Sequence, residues 1–243
     1  DDPVGYWLDK GVVPQDWAGG IYSWERTLPD AKPPARIKAV GNHWREGLAQ
    51  SPRRGMVIDE LGKGSESQHL GEAIALTRQM KPEAYIAVYT TTVVKRVGMF
   101  KGMIKGLKAA DRVPVESYPW GPNMDSIQER VTVQYEGHRS RYQTTVDAGI
   151  SEKSLLALAI GGEVTSWGAQ NGITTPQELR RQLHWIRYDY PEMAGIAFYG
   201  GAAHLNLDEQ LRAFYADPVL RAVQGENGVV RVANIGGDHA PAA

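Results

Sequence analysis

The chain contains no cysteine. Disulfides, thiolate metal sites and cysteine nucleophiles are therefore excluded, and cysteine usage favours neither an oxidising nor a reducing compartment. No apolar run approaches the roughly 20 residues needed to cross a bilayer, so no membrane span is expected. An excess of one charge is also missing, because 27 basic side chains face 28 acidic ones. Without a broad positive field no nucleic-acid partner is expected, and a neutral or weakly charged ligand suits the balance better. Phenylalanine is scarce, with three residues against seven tryptophans. Tryptophan joins a flat apolar face to an N–H donor, a combination that carbohydrate sites favour and that ordinary cores also use.

Several catalytic signatures are absent as well. The histidines at 43, 69, 138, 184, 204 and 239 show no paired spacing of the zinc-site kind, so neither a metal nor a cofactor is expected. There is no Gly-x-Ser-x-Gly elbow to present a serine nucleophile. Lys153 precedes a strand instead of ending one, which counts against a Schiff-base lysine. Gly62-Lys63-Gly64-Ser65 matches neither a Walker loop nor a dinucleotide fingerprint and reads as a turn. The chain opens at Asp1-Asp2-Pro3 without a methionine, which fits a mature exported protein and leads us to expect a secreted or periplasmic location.

What is present is alternation. Short apolar runs, the mark of strands buried on both faces, fall at Gly20 to Trp24, Met56 to Glu60, Ala84 to Thr90, Val113 to Ser117, Leu155 to Ile160 and Gly195 to Tyr199. Between them Ile37, Val40, Trp44 and Leu48 recur at helical spacing, as do Leu70, Ala73, Ile74 and Thr77. A longer pattern from Ile127 to Val146 predicts a helix over most of 125–147, followed at once by a strand. Ser65 with Gln68 and Thr175 with Glu178 fit the capping box. The Pro-rich segment Leu28 to Pro34 reads as a surface loop. Repeated strand, capped helix and strand predict an α/β fold of the (β/α)8 TIM-like barrel type, with residues 1–243 as one catalytic domain. Six units are clear; Val4 to Leu8 and Val229 to Ile235 would complete eight, or the barrel is incomplete.

In such a fold the loops after the strands form the working face, so position selects the candidate residues. The rim collects Trp24, Glu25, Asp59, Glu60, Tyr89, Glu116, Tyr118, Trp120, Glu163, Trp167 and Tyr199. Glycoside cleavage needs a protonated carboxyl for the leaving oxygen and a carboxylate that attacks the sugar or activates water. Glu60 and Glu116 are the expected pair, each following an apolar strand, with Asp59 tuning Glu60. Trp24, Tyr89, Tyr118, Trp120, Glu163, Trp167 and Tyr199 are the expected substrate contacts, the aromatic rings stacking on sugar faces.

The run Gly55-Met56-Val57-Ile58-Asp59-Glu60-Leu61 resembles the strand-terminal Asp-Glu element of TIM-barrel glycoside hydrolases, including families that cleave hexosaminides with help from the substrate's acetamido group. The resemblance covers about seven residues and implies Glu60 as general acid and Asp59 as the group that orients the acetamido. Those hexosaminidases are longer and carry further motifs that this chain lacks, so two-carboxylate catalysis is preferred, with retaining and inverting outcomes both open. The expected partner is a carbohydrate substrate; the sequence fixes no oligomeric state. Two alternatives stay open: a non-catalytic carbohydrate-binding barrel, and a phosphate-binding barrel isomerase or lyase using the glycine pairs at 161–162 and 200–201.

Overall fold

A computed structural model of the protein describes residues 15–19, 24, 26–50, 55–61, 65–90, 101–116, 139–160, 189–190 and 192–199. The chain divides into two compact units, Asp1–Val115 with Thr144–Leu155, and Glu116–Gln143 with Leu156–Ala243.

In the first unit, strands β1 (Gln15–Gly19), β2 (Gly55–Leu61), β3 (Tyr85–Thr90) and β4 (Val113–Val115) pair in that order, every pair parallel. Helices α1 (Pro33–Gln50), α2 (Ser65–Met80) and α3 (Lys101–Ala109) lie between them in the chain, as parallel neighbours require. The helical spacing foreseen in the sequence is observed: Val40, Trp44 and Leu48 of α1 are buried, and so are Leu70, Ala73, Ile74 and Thr77 of α2. They close over strand residues Met56, Ile58, Leu61, Ile86 and Val88, which form the core of this unit.

Helix α2 packs on α1 and on α3. The α2–α3 crossing is close because it is made of glycine: a Cβ on Gly71 would fall 2.2 Å from the Gly102 carbonyl oxygen, and one on Gly106 2.4 Å from Gly71 Cα. At the N-terminal ends of β3 and β4 a polar latch holds the strands. The Asp111 carboxylate accepts the Ile86 N–H at 2.8 Å and pairs closely with Arg78 at the end of α2. Arg78 also donates to the carbonyls of Ala109 at 3.0 Å and Pro82 at 2.7 Å.

Strand β5 (Leu155–Ile160), which belongs to the second unit from Leu156 on, runs parallel to β6 (Gly195–Tyr199), in register from Leu156 opposite Gly195 to Ile160 opposite Tyr199. The Tyr142 and Tyr190 rings lie 5.1 Å apart, and the Tyr190 hydroxyl donates to the Arg139 carbonyl at 3.1 Å. Burial, with a smaller contribution from Tyr190, holds the Tyr142 hydroxyl well above its usual pKa.

The strands from Met56, Ala84, Leu155 and Gly195 stand where the sequence puts them, while other expectations shift. Among the described residues the first strand is Gln15–Gly19; of the expected strand Gly20 to Trp24 only Trp24 is described, and it is helical. The supposed loop Leu28 to Pro34 ends in a helix start, because proline is well placed in a first turn whose N–H groups have no intrahelical partner. The Lys32 carbonyl accepts the N–H groups of Ala35 and Arg36 at 3.0 and 3.2 Å. Helix α3 was not foreseen. Residues 139–147 are helical as expected, and a 3-10 turn, Glu152–Ser154, precedes β5. The strands expected at Val4 to Leu8 and Val229 to Ile235 lie outside the described residues. Among the described residues no helix is long and apolar enough to cross a membrane.

Candidate functional site

The Asp-Glu element occupies the end of β2, where the strand ladder is irregular. Ile58 stands opposite Val88, and the next aligned pair is Leu61 with Thr90. Three steps along β2 thus match two along β3, and the surplus residue falls in the Asp59-Glu60 segment. On the other edge of β2 the register also shifts, since Trp17 pairs with Val57 and Gly19 with Ile58. In a regular strand successive side chains point to opposite faces. An extra residue breaks that alternation and re-aims the side chains it carries, a device found beside active sites.

Beyond the surplus residue the ladder is pinned. Thr90 is fully buried, and its hydroxyl donates to the Leu61 carbonyl at 2.7 Å. Val115 pairs with Thr90 on the opposite side, so Leu61, Thr90 and Val115 form a row across three strands at their C-terminal ends. Asp59 and Tyr89 are both half-buried on these strand ends. Helix α2 starts at Ser65 on this same edge, where the capping box predicts it, with Glu66 in its first turn. An acid there complements the helix dipole.

Trp24 is elsewhere on this edge and is 3% exposed. Its ring stacks on His69 of α2 with centroids 4.9 Å apart and planes inclined by 12°, and the Arg36 guanidinium lies 5.5 Å from its centroid. The ring expected to receive a sugar is thus packed between α1 and α2. Nδ1 of His69 is buried and has no hydrogen-bond partner among the described residues.

Glu116 opens the second unit. It is 2% exposed, directly after β4, and its main-chain carbonyl accepts a short hydrogen bond from the Arg141 guanidinium. Tyr199 ends β6 opposite Ile160. Glu25, Tyr118, Trp120, Glu163 and Trp167 lie outside the described residues, as do the glycine pairs at 161–162 and 200–201. Asp59, Glu60 and Tyr89 therefore share one strand edge in the first unit, with Thr90 as a neighbour that sequence reasoning missed. A threonine ending a strand reads as simple β preference, and no local signal marks it. Among the described residues no group of three or more His, Asp or Glu could hold a metal ion.

No protein-family model and no curated protein matches the chain. Solved structures do. The chain is similar to the GH18 chitinase ChiB from the chitin utilization locus of Flavobacterium johnsoniae, with a TM-score of 0.60 and 13% identity over 86% of this chain and 76% of that one. Ostrinia furnacalis Group II chitinase catalytic domain 2 gives 0.57 and 11% over 90% and 80%. The Bacillus megaterium spore cortex-lytic enzyme SleL gives 0.51 and 11% over 86% and 62%. The chain spans 66% and 54% of the length of two further matched structures, a fungal endo-beta-N-acetylglucosaminidase and a Pyrococcus furiosus chitinase domain. At these identities the likeness is one of fold, and at that level it agrees with the resemblance to barrel glycoside hydrolases drawn from β2.

Proposed function

We propose that this chain is a glycoside hydrolase that cleaves an oligo- or polysaccharide, with a chitin-type β-linked N-acetylhexosamine polymer as the first substrate to try. The observation that carries the reading is the Asp59-Glu60 pair at the C-terminal end of β2, on the re-aimed segment of a parallel α/β sheet. The fold likeness to two chitinases and a cortex-lytic enzyme supports it. In this reading residues 1–243 act as one catalytic barrel domain of an exported protein.

Glu60 donates a proton to the leaving glycosidic oxygen, and Glu116 attacks the sugar carbon or activates water there. Asp59, beside Glu60, tunes that carboxyl or orients an acetamido group of the substrate. Tyr89 and Tyr199, with Tyr118, Trp120, Glu163 and Trp167, are the proposed sugar contacts.

A hydrolysis screen over chitin, chito-oligosaccharides, peptidoglycan and neutral β-glucans tests the reading. Turnover in the wild type should fall by about 10²- to 10⁴-fold in Glu60→Gln and in Glu116→Gln, with glycan binding retained. Unchanged turnover in both variants would sink the assignment. Binding without any turnover in the wild type would instead mark a carbohydrate-binding barrel, and selective binding of sugar phosphates would mark the phosphate-binding alternative.

A further inference from the structure

Two independent features meet one residue past the Asp59-Glu60 pair. The first is the surplus residue on β2 between Ile58 and Leu61. Such an insertion leaves unpaired backbone groups and a choice of registers, because a one-residue slip sends a side chain to the other face. The second is the buried Thr90 hydroxyl, which donates to the Leu61 carbonyl at 2.7 Å. It supplies a donor to a main-chain carbonyl where the ladder has just been interrupted. Thr90 also pairs with Val115, so the residue that receives the slack of β2 is itself fixed from the far side.

Resting on the proposed reading of Asp59 and Glu60 as reacting carboxylates, we propose that Thr90 is a positioning residue for them: its hydroxyl locks β2 directly after the surplus residue and so fixes where both acids stand. With the lock in place, the segment from Ile58 to Leu61 has both ends tied to β3, one through the Ile58–Val88 pairing and one through Leu61 and Thr90. Two tied ends and one extra residue leave the intervening pair a single arrangement. Without the hydroxyl the second tie keeps only the main-chain pairing of Leu61 with Thr90, the Leu61 carbonyl loses a buried donor, and the segment is held less firmly. Thr90 touches no substrate in this proposal and acts only through the main chain of Leu61.

The test uses the full chain and three variants. Thr90→Val keeps the shape and removes the donor; Thr90→Ser keeps the donor. Thr77→Val is the control: Thr77 is also fully buried and its hydroxyl donates at 2.8 Å to the Ala73 carbonyl, but within α2 and away from the strand ends. On a fluorogenic chito-oligosaccharide, Thr90→Val should lose kcat by about tenfold to a hundredfold with KM little changed, the mark of a displaced reacting group. Its pH–rate profile should shift, while Thr90→Ser and Thr77→Val keep the wild-type kcat and profile. Carboxyl 13C NMR titration of Asp59 and Glu60 gives a readout free of turnover: both curves should move in Thr90→Val and return in Thr90→Ser. If Glu60→Gln is inactive while Thr90→Val keeps the wild-type kcat and both titration curves, the Thr90 proposal is overturned and the catalytic reading stands. If the wild type hydrolyses no glycoside, the catalytic reading falls, and the titration curves alone then uphold or overturn the lock.

Discussion

Substituting the helix glycines one at a time with alanine should divide them by sign. Gly47 sits on the exposed side of α1, and a Cβ there meets nothing within 4 Å. Alanine removes chain freedom from the unfolded state and improves helix propensity, a gain of about 0.5 to 1 kcal/mol. At Gly41 the added Cβ meets the Leu76 Cδ2 methyl at 3.0 Å and Met80 Cε at 3.5 Å, both ends of flexible side chains. Gain and crowding there should nearly cancel. Gly102 and Gly71 are different, because the Cβ would lie 2.2 Å from the carbonyl oxygens of Gln68 and Gly102 respectively. Ordinary contact begins near 3.4 Å, so backbone must separate by about 1 Å across a crossing that buries Leu70, Ile74, Met103 and Leu107 completely. Overpacking of that kind costs about 3 kcal/mol, which exceeds the propensity gain of about 1 and leaves a loss of about 2. For a chain of this size the loss corresponds to a drop of roughly 4 to 8 °C in Tm, against a rise of roughly 1 to 4 °C for Gly47→Ala. Thermal unfolding followed by circular dichroism reads both. The double variant Gly71→Ala/Gly102→Ala should cost less than the two single losses together, since the helices part only once. Wild-type Tm in Gly102→Ala, or a lowered Tm in Gly47→Ala, would refute the account of this crossing.

Leu28 holds a left-handed backbone, φ 54°, with its side chain 51% exposed; Leu28→Asn should therefore raise stability by about 0.5 to 1 kcal/mol in urea unfolding, because asparagine tolerates that region better. Tyr142 titrates above its ordinary value because it is buried, so the unfolded chain loses its proton first: stability is intact below about pH 10, the unfolded value, and declines as pH rises from there toward the folded one. Tyr142→Phe should lose less stability than the wild type between neutral pH and pH 11, whatever its stability at neutral pH; an equal alkaline loss would count against this cause.

The outline of the fold was legible because buried parallel strands leave continuous apolar runs. Leu155 to Ile160 and Gly195 to Tyr199 match their strands end to end. Helix α3 was illegible for a physical reason. Its sequence, Lys101-Gly-Met-Ile-Lys-Gly-Leu-Lys-Ala, places two glycines in nine residues, which lowers helix propensity. Those glycines are required by the approach of α2, a tertiary fact that a local reading sees only as a penalty. The start of α1 was misread in the same way, since two prolines suggest a loop until the turn they open is known to be helical. At the candidate site Asp59 and Glu60 could be found because strand order places them, but the surplus residue depends on how β2 aligns with two other strands. No period within one strand reveals that alignment.

The two edges of the first unit's sheet are built differently, and the proposed function then yields a pair of opposed outcomes. At the N-terminal edge Asp111 accepts from Ile86 N–H and Arg78, while Asp111 and Arg112 return their own N–H groups to the Ile86 carbonyl at 2.9 and 3.3 Å. These bonds fix β3 and the end of α2 to the segment that enters β4. Toward the C-terminal edge the register shifts on both sides of β2, and Asp59 and Glu60 lie in the shift against β3. In the proposed reading the first edge serves stability and the irregular second edge serves chemistry, the division of labour known from barrel enzymes. Asp111→Ala removes the acceptor for a charged donor and a buried N–H, at a cost of about 2 to 3 kcal/mol. It should lower Tm and leave kcat at a temperature below unfolding unchanged. Asp59→Asn should do the reverse, lowering kcat by tenfold or more through the loss of charge beside Glu60, with Tm nearly constant. Measuring Tm and kcat on both variants separates the edges, and a common loss of both properties in the two variants would show that the sheet does not divide its labour in this way.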